Sequence, residues 1–222
     1  MQSDHIAQIH QKLHAYRSAG KRFFVSSSFQ THSIPLLHVL AAYDTDIPVY
    51  FLETGFHFPE TLRFRDAITA RFNLNLINIQ SPVPKVAQRD ARGNFLFTSD
   101  PDRCCYLNKV LPLEPVLQSH DIWISGVRRD QTRFRRDLRE EEPGAFDTIR
   151  YHPILDWTSK MIWEYRQAHD LPEHPLEAKG YLTIGCVPCT RKFSDAPGDR
   201  DARWAGMTKE ECGIHTEFVE KR

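Results

Sequence analysis

Five cysteines carry most of the chemistry legible in this chain: Cys104, Cys105, Cys186, Cys189 and Cys212. Four of them form two close pairs, and the fifth stands alone near the C-terminal end. The N-terminus, Met1 to His10, is polar and lacks the apolar stretch of a secretory signal, so a reducing, cytoplasmic setting is expected. Thiols in that setting are more often metal ligands or nucleophiles than disulfides. Four thiolates in two pairs suit either zinc or an iron–sulfur cluster. Adjacent cysteines send their side chains apart. That is awkward for one tetrahedral zinc and easier for a cubane, which offers a separate iron to each sulfur. Spacing therefore leans towards the cluster and leaves zinc open, while four unrelated core cysteines fit the pairing poorly. Lys109, one helical turn after Cys105, is placed to balance a cluster's negative charge, although lysines at such positions are ordinarily just solvated.

Cys212 sits in Lys209-Glu210-Glu211-Cys212-Gly213-Ile214-His215. The thiolate is the reactive form of cysteine, and neighbouring cations lower its pKa. Lys209, His215 and, upstream, Arg200 and Arg203 are available for that. A thiol on a terminal tail can enter a pocket and leave it again. An inert terminal cysteine is the plainer alternative.

Two further segments read as anion sites. Ser26, Ser27 and Ser28 end a short strand just before a helix, where free N–H groups and hydroxyls together hold an anion. The plainer alternative is a serine-rich turn that caps the helix. The segment lacks the glycines and the Lys-Ser/Thr of a P-loop. After Ser125-Gly126 come Arg128, Arg129, Arg133, Arg135 and Arg136. Guanidinium forks suit phosphate or sulfate, and the position after a strand end favours a site over a mere surface charge run.

The elements that must hold these groups alternate in type. Helical spacing covers 5–19, 32–43 with Pro35 in its first turn, the stretch from Pro59 to Phe72, and 158–169. Short apolar strands are expected at Arg22–Phe29, Val49–Leu52, Leu74–Ile79 and Ile122–Ile124. The pattern predicts an α/β fold with a mainly parallel sheet, helices on both faces, and ligands beyond the carboxyl ends of the strands. The charged stretch Arg135–Pro143 reads as solvated surface or linker. Beyond Leu171 the chain is expected to wrap the site without extending the sheet. The expected organisation is one nucleotide-binding domain over 1–197 and a mobile C-terminal tail over 198–222.

Composition excludes other classes. The chain has 222 residues, 41% of them hydrophobic, and 29 basic against 29 acidic side chains, so no general affinity for nucleic acid or membrane is expected. No apolar run approaches the roughly 20 residues needed to span a bilayer.

Taken together, the chain resembles the phosphoadenylyl-sulfate and adenylyl-sulfate reductase family. The resemblance rests on SSSFQTHS at 26–33, LETGFHFPET at 52–61, CCYLNKVLPL at 104–113 and SGVRRDQTRFR at 125–135. It continues through HPILDWTSKMIWEY at 152–165, GYLTIGCVPCTRKF at 180–193 and RWAGMTKEECGIH at 203–215. It implies an adenine-nucleotide hydrolase-like, Rossmann-like fold with Ser26–Ser28 as a modified pyrophosphate loop. Arg128, Arg129, Arg200 and Arg203 would surround phosphate and sulfate. Cys104, Cys105, Cys186 and Cys189 would hold a [4Fe–4S] cluster, Lys109 would couple it to the sulfate end, and Cys212, assisted by His215, would be the nucleophile.

The implied reaction reduces adenylyl sulfate to sulfite and AMP in assimilatory sulfate reduction, with thioredoxin or a similar dithiol protein as donor. Members with the paired cysteines typically use adenylyl sulfate; those using the 3′-phosphorylated nucleotide generally lack them, and some cluster-bearing members accept both. Two departures bear on nucleotide preference: Glu53 stands where Asp or Asn is frequent, and His32 where other polar or small residues are common. The competing readings are an ATP pyrophosphatase-type sulfur-transfer enzyme and a non-enzymatic zinc or redox sensor. The sequence leaves homo-oligomer formation open.

Overall fold

Alternating apolar residues decide which way each strand faces. In β1 (Phe23–Ser26), Phe23 and Val25 turn to one side and Phe24 to the other. β4 (Ile122–Ser125) repeats this, with Ile122 and Ile124 on the first side and Trp123 on the second. Both faces are apolar, so the central strands must be covered on both sides. A computed structural model describes residues 2–193 together with Arg203 and Ile214. It shows a six-stranded sheet in the order β3-β2-β1-β4-β6-β5. The other strands are β2 (Pro48–Leu52), β3 (Asn75–Ile79), β5 (Glu141–Pro143) and β6 (Ile149–Tyr151). All neighbours pair in parallel except β5 with β6.

One face is packed by α1 (Gln2–Ser18), α2 (Ile34–Tyr43), α3 (Pro59–Phe72) and the helix Ser159–Ala168. The other face is covered by a helical run that the sequence reading did not assign. It comprises α4 (Leu96–Ser99), α5 (Pro101–Cys105), a π-helical turn (Tyr106–Val110) and α6 (Leu111–Gln118); Ser159–Ala168 is then α7. Val110, Leu113 and Leu117 pack here on Phe24 and Trp123. The π turn has a local cause. Pro112 lacks the N–H that would bond the Asn108 carbonyl, and its ring crowds that carbonyl. The Leu111 N–H accordingly reaches back to the Tyr106 carbonyl, five residues away.

The structure places the expected helices and central strands and corrects one stretch. Glu141–Pro143 is not solvated linker but the antiparallel edge strand, hydrogen-bonded to Ile149–Tyr151. Charge and a proline are normal on a sheet edge, and a three-residue strand shows no readable periodicity. The chain beyond Leu171 adds no strand among the described residues. The expected tail, 198–222, lies outside the described residues apart from Arg203 and Ile214. Among the described residues no helix is long and apolar enough to cross a membrane.

Candidate active site

The sheet order reverses at β1, whose neighbours β2 and β4 lead the chain away in opposite directions. A crevice at the carboxyl ends of such strands is where α/β sheets bind ligands. Here a cavity of about 280 Å³ opens, floored by Val25, Leu37, Phe51 and Val127 and rimmed by polar groups.

The serine loop forms one wall. Ser26, Ser27 and Ser28 all line the cavity. The Trp123 indole N–H donates to Ser26 Oγ at 2.8 Å, so that hydroxyl keeps its own proton for a ligand. Phe29, fully buried, takes a left-handed φ of 52°, and its N–H donates to Ser27 Oγ. This bend turns the chain from β1 into the helical turn Thr31–Ser33 that leads into α2. The loop is sewn to the far end of the chain. Gln30 Oε1 accepts the Ile184 N–H at 2.9 Å, and Thr31 Oγ1 accepts the His174 N–H at 2.9 Å. Sequence reasoning gave neither residue a role.

The arginines divide. Arg128 lines the cavity yet is only 2% exposed. Its guanidinium donates to Asp130, His32 and Ser159, and Asp130 in turn accepts from the Ser159 backbone and hydroxyl at the start of α7. Burial pulls the Arg128 pKa down while Asp130 raises it. This arginine braces the wall. Arg129 is outside the lining: it pairs with Asp156 and donates to the Arg136 and Leu138 carbonyls. Arg135, in the same sequence cluster, does line the cavity. Arg203 lines it from the opposite side, its guanidinium against Gly185, where an added Cβ would stand 2.3 Å from Nη2. Ile214 also lines it and packs against the apolar cluster that contains Phe24, Val110 and Trp123. Arg200, Cys212 and His215 lie outside the described residues. Of the two departures noted in the sequence, His32 faces the cavity, whereas Glu53 faces Arg65 at 3.9 Å.

A second, smaller cavity lies next to the first. Cys104, Cys105, Cys186 and Cys189 all line it, and none of the four is in a disulfide. One chain crossing, of 56–57 with 186–187, positions the second pair. The Val187 N–H donates to the Phe56 carbonyl at 2.7 Å, and His57 pairs with Cys186 in an isolated bridge. The 104–105 pair arrives at the end of α5. Thr54 Oγ1 lies 3.3 Å from Cys186 Sγ, and Asn108 Nδ2 lies 3.6 Å from Cys104 Sγ. Burial, and then the nearby Cys186, raise the Cys104 pKa. Among the described residues no three His, Cys, Asp or Glu side chains converge on a point that would hold a single ion.

Lys109 and Cys186 line both cavities and form their common wall. His57 stands at this wall, its pKa pushed down to about 3 by burial and then by Lys109, Arg65 and Lys85, so the imidazole is neutral near pH 7. Thr54 and His57 lie within the quoted segment 52–61, but nothing in their spacing marks them as neighbours of a cysteine 132 residues further along, in the case of Thr54.

Known proteins resemble this chain along most of its length. The chain is 38% identical over 205 residues to the phosphoadenosine 5′-phosphosulfate reductase of Gloeobacter violaceus, covering 90% of this chain and 85% of that protein. It is 36% identical over 203 residues to the adenosine 5′-phosphosulfate reductase of Bacillus cereus, covering 90% and 87%. Among solved structures, the phosphoadenylyl-sulfate reductase of Candida auris shares the fold, with a TM-score of 0.65 at 19% identity over 83% of this chain and 95% of that one. Residues 22–192 match the phosphoadenosine phosphosulfate reductase domain. With that match and these identities, the chain belongs to the phosphoadenosine phosphosulfate reductase domain family.

Proposed function

We propose that this oxidoreductase reduces adenylyl sulfate to sulfite and AMP with a thioredoxin-type dithiol as electron donor. The carrying observation is the shared wall. A crevice of nucleotide type, with an anion loop on one side, adjoins a cavity lined by four thiols, with Lys109 facing both. In this reading the serine loop and the N-terminus leading into α2 receive the phosphate. Arg203 and Lys109 receive the sulfuryl oxygens, where charge builds up as the sulfur is attacked, and Arg200 joins them. Arg128 holds the wall and Arg135 adds positive potential.

Ile214 lies on the cavity, and Cys212 precedes it by two residues in the sequence, so Cys212 is the thiol this reading assigns as the nucleophile. The Cys212 thiolate attacks sulfur, the bond to the phosphate oxygen breaks, and AMP leaves with that electron pair. The product is an S-sulfocysteine. A donor thiolate then attacks Cys212 Sγ and sulfite departs with the S–S electron pair. The donor's second thiol closes its own disulfide and frees Cys212. The sulfur gains two electrons and the dithiol loses two. His215 assists proton transfer on the tail.

The donor set fits a [4Fe–4S] cluster: four thiols from two segments, with neutral donors from Thr54 and Asn108 at two of the sulfurs. Cys104, Cys105, Cys186 and Cys189 would hold it. When bound, the cluster supplies a fixed electrostatic and structural wall beside the sulfate end.

The named relatives divide between the two nucleotides, so the 3′-phosphorylated substrate is the second reading. The test is anaerobic purification with iron and sulfide analysis, then sulfite release from each nucleotide with thioredoxin. Cys212→Ser is expected to bind nucleotide and release no sulfite. Incubation with adenylyl sulfate alone should add a sulfo group to Cys212 by mass spectrometry. Normal turnover by the variant, or an unmodified Cys212 in loaded wild type, would defeat the mechanism.

A further inference from the structure

Lys85 reaches Asn108, in the lining of the cysteine cavity, from a segment that neither cysteine pair supplies. It begins the short helical turn Lys85–Ala87, after β3, and lays its side chain across the face of Phe56, Nζ being 5.0 Å from the ring centre. It also lies over Gly55, which has φ +73° and where an added Cβ would come within 2.7 Å of Lys85 Cε. The ammonium donates to Asn108 Oδ1 and stands within electrostatic reach of Cys104 and Cys186.

Asn108, on the π turn, is only 1% exposed. Its Oδ1 also accepts from Gln88 Nε2 at 3.0 Å. Its Nδ2 donates to Gln88 Oε1 at 2.6 Å and to the Cys104 carbonyl at 2.9 Å, and reaches Cys104 Sγ at 3.6 Å. These partners determine the amide orientation. Turned over, Asn108 would set its donors against the Lys85 ammonium and the Gln88 amide, so its N–H must face the sulfur. The ammonium also polarises the amide and strengthens the N–H as a donor.

We propose that Lys85 is a positioning residue of the [4Fe–4S] site: it locks the Asn108 amide with an N–H towards the Cys104 sulfur and brings a second positive charge to the cluster beside Lys109. This role rests on the cluster reading given above. Partners behind first ligands hold a metal group through orientation and charge, and losing one typically costs 10- to 100-fold in retention.

The test uses anaerobically purified, cluster-loaded protein. Lys85→Met should release iron to a chelator roughly tenfold faster than wild type. It should also shift the Fe–S(thiolate) stretching bands in resonance Raman spectra, a change that loss of folding stability alone would not produce. Lys85→Arg should restore both. If Lys85→Met does not fold, the same two readings on Lys85→Gln decide. Wild-type iron release with unshifted bands overturns the role while the cluster stands. A wild-type protein that takes up no iron and sulfide overturns the cluster itself, and this role with it.

Discussion

Gly185→Ala isolates the contribution of Arg203 without touching any charged group. An alanine Cβ would stand 2.3 Å from Arg203 Nη2, 2.5 Å from Cζ and 2.7 Å from Nη1. Non-bonded heavy atoms settle near 3.5 Å, so the guanidinium must retreat by about 1 Å. It is the far end of a long side chain, so it can move without disturbing the backbone. Gly185 does not have a positive φ, so alanine introduces no backbone strain and slightly restricts the unfolded chain. Folding stability should therefore hold or rise slightly. An N–H bond to an anion is about 2.8 Å long, and a shift of about 1 Å abolishes it. Such a bond contributes about 1.5–3 kcal/mol net, which is about 10- to 150-fold in kcat/KM. The assay is thioredoxin-coupled sulfite release, with a thermal melt alongside. Arg203→Ala should lose a similar factor, and the double variant should lose no more than Arg203→Ala alone. Full activity in Gly185→Ala, or losses that multiply in the double variant, would show that Arg203 does not act through this contact.

The two adjacent arginines should separate in opposite ways. Arg129→Ala should keep kcat/KM within about twofold and cost up to about 1 kcal/mol in a melt, because its partners are a surface carboxylate and two carbonyls outside the cavity. Arg128→Ala should cost roughly 2–4 kcal/mol, since its buried fork joins Asp130, His32 and Ser159. Acid should act through two buried histidines. His152 and His174 are at most 1% exposed, and burial pushes their pKa values down to about 3 and about 4. A lowered histidine pKa means that the unfolded chain takes up the proton first. The stability these two provide is complete above about pH 6.5 and falls as pH drops towards the folded values. Each should steepen the loss by about 1.4 kcal/mol per pH unit in that window. Urea melts from pH 7 to 4 should flatten in His174→Gln; an unchanged slope would refute the assignment.

The sequence made the centre of this molecule plain and its margins obscure. Phe23 to Val25 and Ile122 to Ile124 are apolar on both faces, which is the signature of buried parallel strands, and Ser26–Ser28, Arg128 and Arg135, which follow them, line the crevice at the strand ends. The cysteine pairs were visible because thiols are rare and their spacing is meaningful. Three things were hidden for physical reasons. The edge strand Glu141–Pro143 and its neighbour Ile149–Tyr151 are too short for a period to emerge. The run over 101–118 carries Pro101, Pro112 and Pro115, which read as breaks, although Pro101 opens a helix and Pro112 only widens one. The groups around the sulfurs come from distant segments: Thr54, beside Cys186, from just past β2, and Lys85 and Gln88, which hold the Asn108 amide beside Cys104, from the connection after β3. Type and spacing identify a side chain that can do chemistry; they do not say which neighbours a fold will give it. Arg128 and Arg129 make the same point, since adjacent and identical residues meet opposite surroundings.

That limit explains how the second cavity is built. β2 ends at Leu52, and the chain then runs through Thr54, Gly55 and Phe56 before Pro59 starts α3. This turn meets the 186–187 segment on one side and the Lys85 side chain on the other. Another wall is the π turn, where Asn108, four residues after Cys104, reaches back to its sulfur while Lys109 also lines the first cavity. In a regular α-helix each residue advances about 100° around the axis, so two successive side chains already diverge. The extra residue in the π turn changes the phase between the cysteine pair and the helix that packs on Phe24 and Trp123. The packing face of α6 and the chemistry face of the π turn are thereby set independently, and Pro112 is what holds them out of step. Replacing that proline would let the Asn108 carbonyl regain its ordinary donor, and the face of α6 that packs on Phe24 and Trp123 would then rotate relative to the cysteine pair.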